Sequence, residues 1–302
     1  MRDVSRKTTT LRTARARAIL RVSPSTIDRI RAGSLPKGDP LPVARVAGIQ
    51  AAKQTSAIIP FCHPVAVEHA DCTFELTKNS VVITAAVTAV HKTGVEMEAL
   101  TAATVAALTI YDMTKMVDDE AVIESVQLLE KKGGKTDQRG VLKRPIRAGI
   151  LVLSDSVAAG TRTDESGKRL ADRLKEQGID ILEILAIADD RATIESTLRT
   201  WSDDNRFDLI CTTGGTGLGP RDVTPEATNA VIDRAVPGVT EALRSYGQDR
   251  MPTAMLSRSV AGIRGRTMIV NFPGSVRGVD EGMDALLPGL LHAFAMMEGG
   301  GH

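Results

Sequence analysis

Aromatic side chains are scarce, 3% of 302 residues. The cores must therefore be aliphatic, and a stacked aromatic platform for single-stranded nucleic acid is not expected. An excess of one charge is also missing. Lys and Arg number 38 against 37 Asp and Glu, a formal net charge of +1. That removes the electrostatic motive for a dedicated nucleic-acid binder. Cysteine is limited to Cys62, Cys72 and Cys211, an odd count with no metal-ligand spacing, as in a reduced cytoplasmic protein. No apolar run approaches the ~20 residues of a membrane span. The first twenty residues contain no apolar core of signal-peptide length.

What remains is ordinary globular material, 42% hydrophobic and 25% charged. The length favours two domains, at about 100–200 residues each. In the first half, residues 11–31 read as an amphipathic helix (TARARAIL) followed by a short second helix (SPSTIDRIRAG). Helical periodicity resumes after Pro42 in PLPVARVAGIQAAKQTSAIIP. ADCTFELTK and SVVITAAVTAV read as strands joined by a turn at Lys78-Asn79. Residues 95–117 read as a helix and AVIESVQLLEK as a strand. The polar, basic, Gly-bearing run KKGGKTDQRGVLKRP reads as a linker. Domains are thus expected at 1–135 and 146–302, with 136–145 between them.

Beyond it the pattern becomes an alternation of strands and helices. IRAGILVL, IDILEILAI and FDLICTTGG read as strands. SGKRLADRLKEQG (stopped by Gly178), ATIESTLRTWS and PEATNAVIDRA read as helices. That order predicts a mostly parallel, doubly wound sheet with ligands at the C-terminal strand ends. Asp155, Asp189 and Gly214 fall at three such ends.

One helix, TGVEMEALTAATVAALTIYDMTK, is apolar and small-sided yet carries acids at its start and an acid–base pair at its end. Asp112 and Lys115 share a face at i,i+3, and their apolar flanks point to partial burial and perturbed pKa values. The bland reading is a surface ion pair. Glu98 and Asp112 also share a face, roughly 21 Å apart if the helix is unbroken. One small substrate cannot span that. Either the glutamates precede the helix, or each site takes one end from each of two subunits, packed on their Ala-rich faces. LPKGDP presents Lys37 on a rigid loop, and IIPFCHP brackets Cys62 and His63 with prolines. With Lys53, Lys115 and Lys131 these groups describe a site for a polyanion such as a triphosphate.

KGD, RVAGIQAAK, IPFCHP, KTGVEMEALTAATVAALTIYDMTK and LLEKKGGK closely resemble the MoaC family, the cyclic pyranopterin monophosphate synthases of molybdenum-cofactor biosynthesis. The resemblance covers about Val4 to Lys135. It implies an α+β fold with an antiparallel, ferredoxin-like sheet and homo-oligomers built from dimers, hexamers among them. It also implies conversion of 3′,8-cyclo-7,8-dihydro-GTP to cyclic pyranopterin monophosphate with loss of pyrophosphate, without a cofactor. Carried over by position, the catalytic residues are Asp112, Lys37, Lys115 and Lys131. Substrate contacts fall on Phe61, Cys62, His63, Glu96, Met97 and Glu98.

In the second half, TTGGTGLGPRDVTPEAT runs from a strand end into a helix. Its glycines allow backbone N–H groups close to an anion. It lacks the Gly-Lys-Ser/Thr of a P-loop and the glycine spacing of a dinucleotide fingerprint. Taken alone it is more often a structural turn. Asp189 and Asp222 nearby point to Mg²⁺ and a nucleotide. LSDS, DESG, TTGGTG with PRDVTPEAT, and AMLSRSVAGIRGRTMIVNFPGS resemble the MogA/MoaB family, the molybdopterin adenylyltransferases, over about Ile146 to Met297. The resemblance implies transfer of AMP from Mg-ATP to molybdopterin. Asp189 and Asp222 would be the key acids and Mg²⁺ ligands, Ser257 a molybdopterin contact, and Asp155, Thr213, Gly214, Gly215, Thr216 and Gly217 the site lining. The rival from another class is a second half that only holds pterin or nucleotide, as a scaffold or regulator.

Overall fold

The computed structural model describes residues 1–134, 144–204, 206–287 and 289–299. The chain divides into two compact units, Met1–Gln138 and Arg139–His302. Most of the expected linker, 136–143, lies outside the described residues.

The first unit runs β1 (Thr10–Arg21), α1 (Pro24–Ala32), α2 (Pro40–Ile58), β2 (His69–Leu76), β3 (Ser80–His91), α3 (Glu96–Thr114) and β4 (Val122–Lys132). Its described strands form an antiparallel sheet in the order β2-β3-β1-β4. The expected helix over TARARAIL is instead the centre of β1. Its basic and aliphatic residues alternate with period two, and Ala14, Ala16, Ala18 and Leu20 are each at most 2% exposed. Thr77 donates to the Ser80 carbonyl at 2.9 Å, closing the expected hairpin over Lys78-Asn79.

Helices α2 and α3 cover one face of the sheet. Small residues set their separation: a Cβ on Gly48 would lie 3.0 Å from the Ala102 carbonyl and 2.6 Å from the Cys72 sulfur. Ala99, Ala102, Ala103, Ala106 and Ala107 of α3 are all at most 1% exposed. The Ala-rich face is therefore buried within its own subunit, against the expectation that it meets a second copy. Outward-facing Met97, Leu108 and Tyr111 remain accessible.

The second unit runs β5 (Arg147–Leu153), α4 (Asp155–Ala158), α5 (Ser166–Lys175), β6 (Asp180–Ile187), α6 (Arg191–Asp203), β7 (Leu209–Thr213), α7 (Thr224–Asn229), β8 (Arg234–Ala235), α8 (Pro237–Gln248), β9 (Ala261–Arg264), β10 (Thr267–Phe272), α9 (Val276–Leu286) and α10 (Gly289–Met297). The strand order is β6-β5-β7-β10-β9-β8. Pairings from β6 through β10 are parallel, and β9 and β8 add an antiparallel edge. Gly178 (φ 77°) ends the turn after α5 as expected. The helix expected over PEATNAVIDRA is shorter, because the chain leaves α7 at Asn229 and turns into β8. Among the described residues, no helix is long and apolar enough to cross a membrane.

Candidate functional site

In the first unit, α2 and α3 lie antiparallel, so the loops before and after α2 reach opposite ends of α3. Before α2, Asp39 caps the helix by accepting from the Leu41 amide at 3.0 Å, with Pro40 in the first turn. This fixes the loop that carries Lys37. The Lys37 ammonium donates to Asp112 Oδ2 at 2.6 Å and to the Asp112 carbonyl at 3.0 Å. Lys115 Nζ lies 2.8 Å from Asp112 Oδ1. Each carboxylate oxygen thus holds one lysine.

The group is accessible: the Asp112 side chain is 54% exposed. The expected burial is not found, because Asp112 sits on the outer side of the last turn of α3. Its pKa is nonetheless perturbed, lowered to about 2 by the hydrogen bonds from Lys115 and then Lys37. Asp112 in turn holds the Lys115 pKa above its ordinary value.

At the other end of α3 lies a second cluster. Lys131, on β4, is 3.3 Å from Glu96 Oε1. Glu98 is only 4% exposed, and burial raises its carboxyl pKa. Cys62, half-buried after α2, has its pKa raised by burial and then by the Glu98 charge. His63 lies close enough to lower the His91 pKa, after the larger effect of burial. Phe61 is 77% exposed, and Met97 also faces outward. Arg12 and His91 join this cluster without having been read from the sequence. Arg12 is buried and donates to the His91 carbonyl at 3.3 Å. Lys53 sits on the exposed side of α2.

The structure therefore brings Lys37, Asp112 and Lys115 together. Separately, it brings Glu96, Glu98, Lys131, Cys62 and His63 together. It does not join the two sets within one subunit. Helix α3 is continuous from Glu96 to Thr114, so Glu98 and Asp112 are roughly 21 Å apart along its axis.

In the second unit, the expected residues gather at the C-terminal ends of β5, β6, β7 and β10. The Asp189 amide donates to Asp155 Oδ1 at 3.2 Å, and Arg221 pairs with the other Asp155 oxygen. Asp189 Oδ1 is buried without a hydrogen-bond partner. Burial raises the Asp189 pKa, and the charges of Asp155 and Asp222 add to the rise. Thr213 donates to the Pro273 carbonyl at 2.9 Å, tying the turn to the end of β10.

Gly214 and Gly215 have positive φ, 105° and 60°. A Cβ on Gly215 would collide with the Thr224 hydroxyl and lie 3.1 Å from Asp189 Oδ1. Only glycine permits this approach. The turn continues through the buried Thr216 and Gly217 to Asp222, whose Oδ2 accepts from the Gly219 amide at 2.7 Å. Ser257, 2.9 Å from Ser259 through their hydroxyls, lines an adjoining cleft of about 290 Å³ with Pro273 and Ser275. Sequence reasoning missed Arg258, which holds the turn from behind. The only signal was its position in AMLSRSVAGIRG.

Among the described residues, no cluster of three or more His, Cys, Asp or Glu is ready-made for a metal ion. Mg²⁺ does not require one, since it is commonly held by one or two carboxylates plus phosphate oxygens and water. An orphaned, buried carboxylate oxygen on Asp189 with Asp222 nearby fits that donor set.

The two units thus define a class: a two-domain protein with one lysine-bracketed acid site and one Gly-rich strand-end site, both suited to phosphorylated ligands. Residues 1–134 match the model of the MoaC family, and residues 149–292 match that described as "Probable molybdopterin binding domain". The chain is 43% identical over 302 residues to a molybdenum cofactor biosynthesis bifunctional protein of Chlorobaculum tepidum, covering 100% of this chain and 96% of that one. It is 39% identical over 318 residues to the protein of that name in Synechococcus elongatus, covering 100% and 98%. A cyclic pyranopterin monophosphate synthase of Desulfitobacterium hafniense is 53% identical over 137 residues, 45% of this chain and 84% of that one. The chain belongs to the bifunctional molybdenum cofactor biosynthesis proteins, a MoaC domain followed by a MogA/MoaB-type domain.

Proposed function

We propose that the first domain converts 3′,8-cyclo-7,8-dihydro-GTP to cyclic pyranopterin monophosphate with release of pyrophosphate, and that the second transfers AMP from Mg-ATP to molybdopterin. The observation that carries the first assignment is the pair of lysines converging on Asp112. Opening a purine, closing a pyranopterin ring and forming a cyclic phosphate needs proton transfers and cations for the departing pyrophosphate. Lys37 and Lys115 meet oxygens that gain charge as pyrophosphate leaves. Held by both, Asp112 is too acidic to accept a proton readily. When substrate draws one lysine away, Asp112 loses a cation and its pKa rises towards the range useful for proton transfer.

Lys131, His63, Glu96 and Glu98 complete the site from the other end of α3. With the helix unbroken, we assign each site to two subunits, Asp112 from one and Glu98 from its partner. Since the alanines are covered internally, the contact between copies would run along the outward row of Met97, Leu108 and Tyr111. Dimers are the commonest closed symmetry and make such an interface isologous.

In the second domain the unpartnered oxygen of the Asp189 carboxylate carries the assignment. Asp189 and Asp222 would hold Mg²⁺, which when bound neutralises the nucleotide phosphates. The Gly-rich turn binds phosphate through its amides. Ser257 and the adjoining cleft receive the pterin. Incubation of the full chain with the cyclised dihydro-GTP should release pyrophosphate stoichiometrically with cyclic pyranopterin monophosphate. Incubation with molybdopterin and Mg-ATP should yield adenylylated product. Failure of either product to form removes that half of the reading.

A further inference from the structure

Arg258 sits behind the Gly-rich turn, on the segment between α8 and β9. Its backbone amide donates to the Thr216 carbonyl at 2.9 Å. Its side chain donates from Nε to the Gly217 carbonyl at 2.7 Å, from one terminal nitrogen to the Asp222 carbonyl, and from the other to Glu226 Oε1. One residue thus collects three main-chain carbonyls of the segment between β7 and α7, and one carboxylate.

A trans peptide has its C=O and N–H pointing in opposite directions. With the carbonyls of Thr216 and Gly217 turned to Arg258, the amides of Gly217 and Leu218 must face the other way. Among the described residues, the amides of Gly215, Thr216, Gly217 and Leu218 donate to no protein acceptor. Four successive unpaired amides form a nest for an anion. Resting on the phosphate-binding reading above, we infer that Arg258 is a positioning residue that orients the last two of these peptide planes, so that the amides of Gly217 and Leu218 converge with those before them on a phosphate oxygen of the ligand. It acts by geometry and touches no substrate. Its planar fork is suited to several fixed acceptors, which the single ammonium of a lysine cannot satisfy together.

The two phosphates that could occupy the nest are those of the nucleotide and of the pterin monophosphate, so both are titrated by calorimetry into the full chain as Mg-ATP and 6-hydroxymethylpterin phosphate. Asp222→Ala supplies the correction for binding by the first domain. Arg258→Lys and Arg258→Gln should each weaken at least one ligand by about tenfold or more, and the ligand affected identifies the occupant. Glu226→Gln, which leaves the carbonyl contacts in place, should bind as the parent does. Added guanidinium should restore binding to Arg258→Ala, a recovery that a collapsed fold would not show. Parental affinity in Arg258→Lys would mean that charge alone suffices, and equal loss in Glu226→Gln would make the ion pair the operative contact. Either result overturns the inference. If the parent binds neither ligand, the phosphate-site reading itself falls and the inference with it.

Discussion

The two sites treat their carboxylates in opposite ways. Asp112 is exposed, shares its two oxygens between two lysines, and has its pKa lowered to about 2. Asp189 is partly buried, leaves one oxygen unpartnered, and has its pKa raised. The first site already holds the cations that a phosphorylated substrate needs. The second leaves an unpaired carboxylate oxygen on Asp189, and on the reading proposed above a cation from outside would complete it. If that reading holds, one chain combines two solutions to binding phosphate, resident ammonium groups and an imported metal ion.

The largest test of this contrast is Asp112→Asn. It should lower pyrophosphate release by on the order of 10²-fold or more while leaving AMP transfer unchanged. A variant that turns over at the parent rate would make Asp112 a holder of lysines with no part in the reaction. Next comes metal removal. A chelator should stop AMP transfer and leave pyrophosphate release untouched, and Asp222→Ala should reproduce the first effect without chelator. Loss of both activities on chelation would erase the difference between the sites.

A smaller effect tests the sharing of the first site. Glu98→Gln and Asp112→Asn, each inactive alone, should recover about a quarter of parental activity after mixing and subunit exchange, because half the dimers are hybrids with one intact site. Demonstrated exchange without recovered activity would return the site to a single subunit.

The smallest effect is on stability. A carboxyl whose pKa is raised on folding contributes stability that is present below its unfolded pKa and lost as pH rises through the folded value. Asp189 is such a group. In metal-free protein, Asp189→Asn should therefore raise the unfolding midpoint of the second unit at neutral pH by roughly 2 °C or more, with the gain vanishing near pH 4. Asp112 has the opposite sign, so Asp112→Asn should give no such gain. Equal behaviour in a pH series of thermal melts would contradict the pairing described for both groups.

Much of this was legible in the sequence where periodicity was unambiguous. Helix α3 and strand β3 could be read directly, as could the strand–helix alternation of the second unit. β1 could not, because short alternating Arg and Ala residues satisfy a helical template nearly as well as a period-two one, and only burial decides. The edge strands β8 and β9 are too short to carry a pattern. Site residues close in sequence, such as Asp112 and Lys115, were visible as a pair. Lys37 could be singled out as an ammonium on a rigid loop, but its catalytic role beside Asp112, 75 positions away, came from the family resemblance. Arg258 escaped both routes, since apart from Glu226 its partners are main-chain carbonyls about 40 residues away, which leave no complementary residue type to find.

The unbroken run of α3 has a further consequence for how the protein must be handled. If a site needs Asp112 from one copy and Glu98 from another, isolated subunits carry only halves of it. Turnover per mole of chain should then fall on dilution below the dissociation constant of the dimer, while the proposed AMP transfer, assigned here to the second unit alone, should stay proportional to protein.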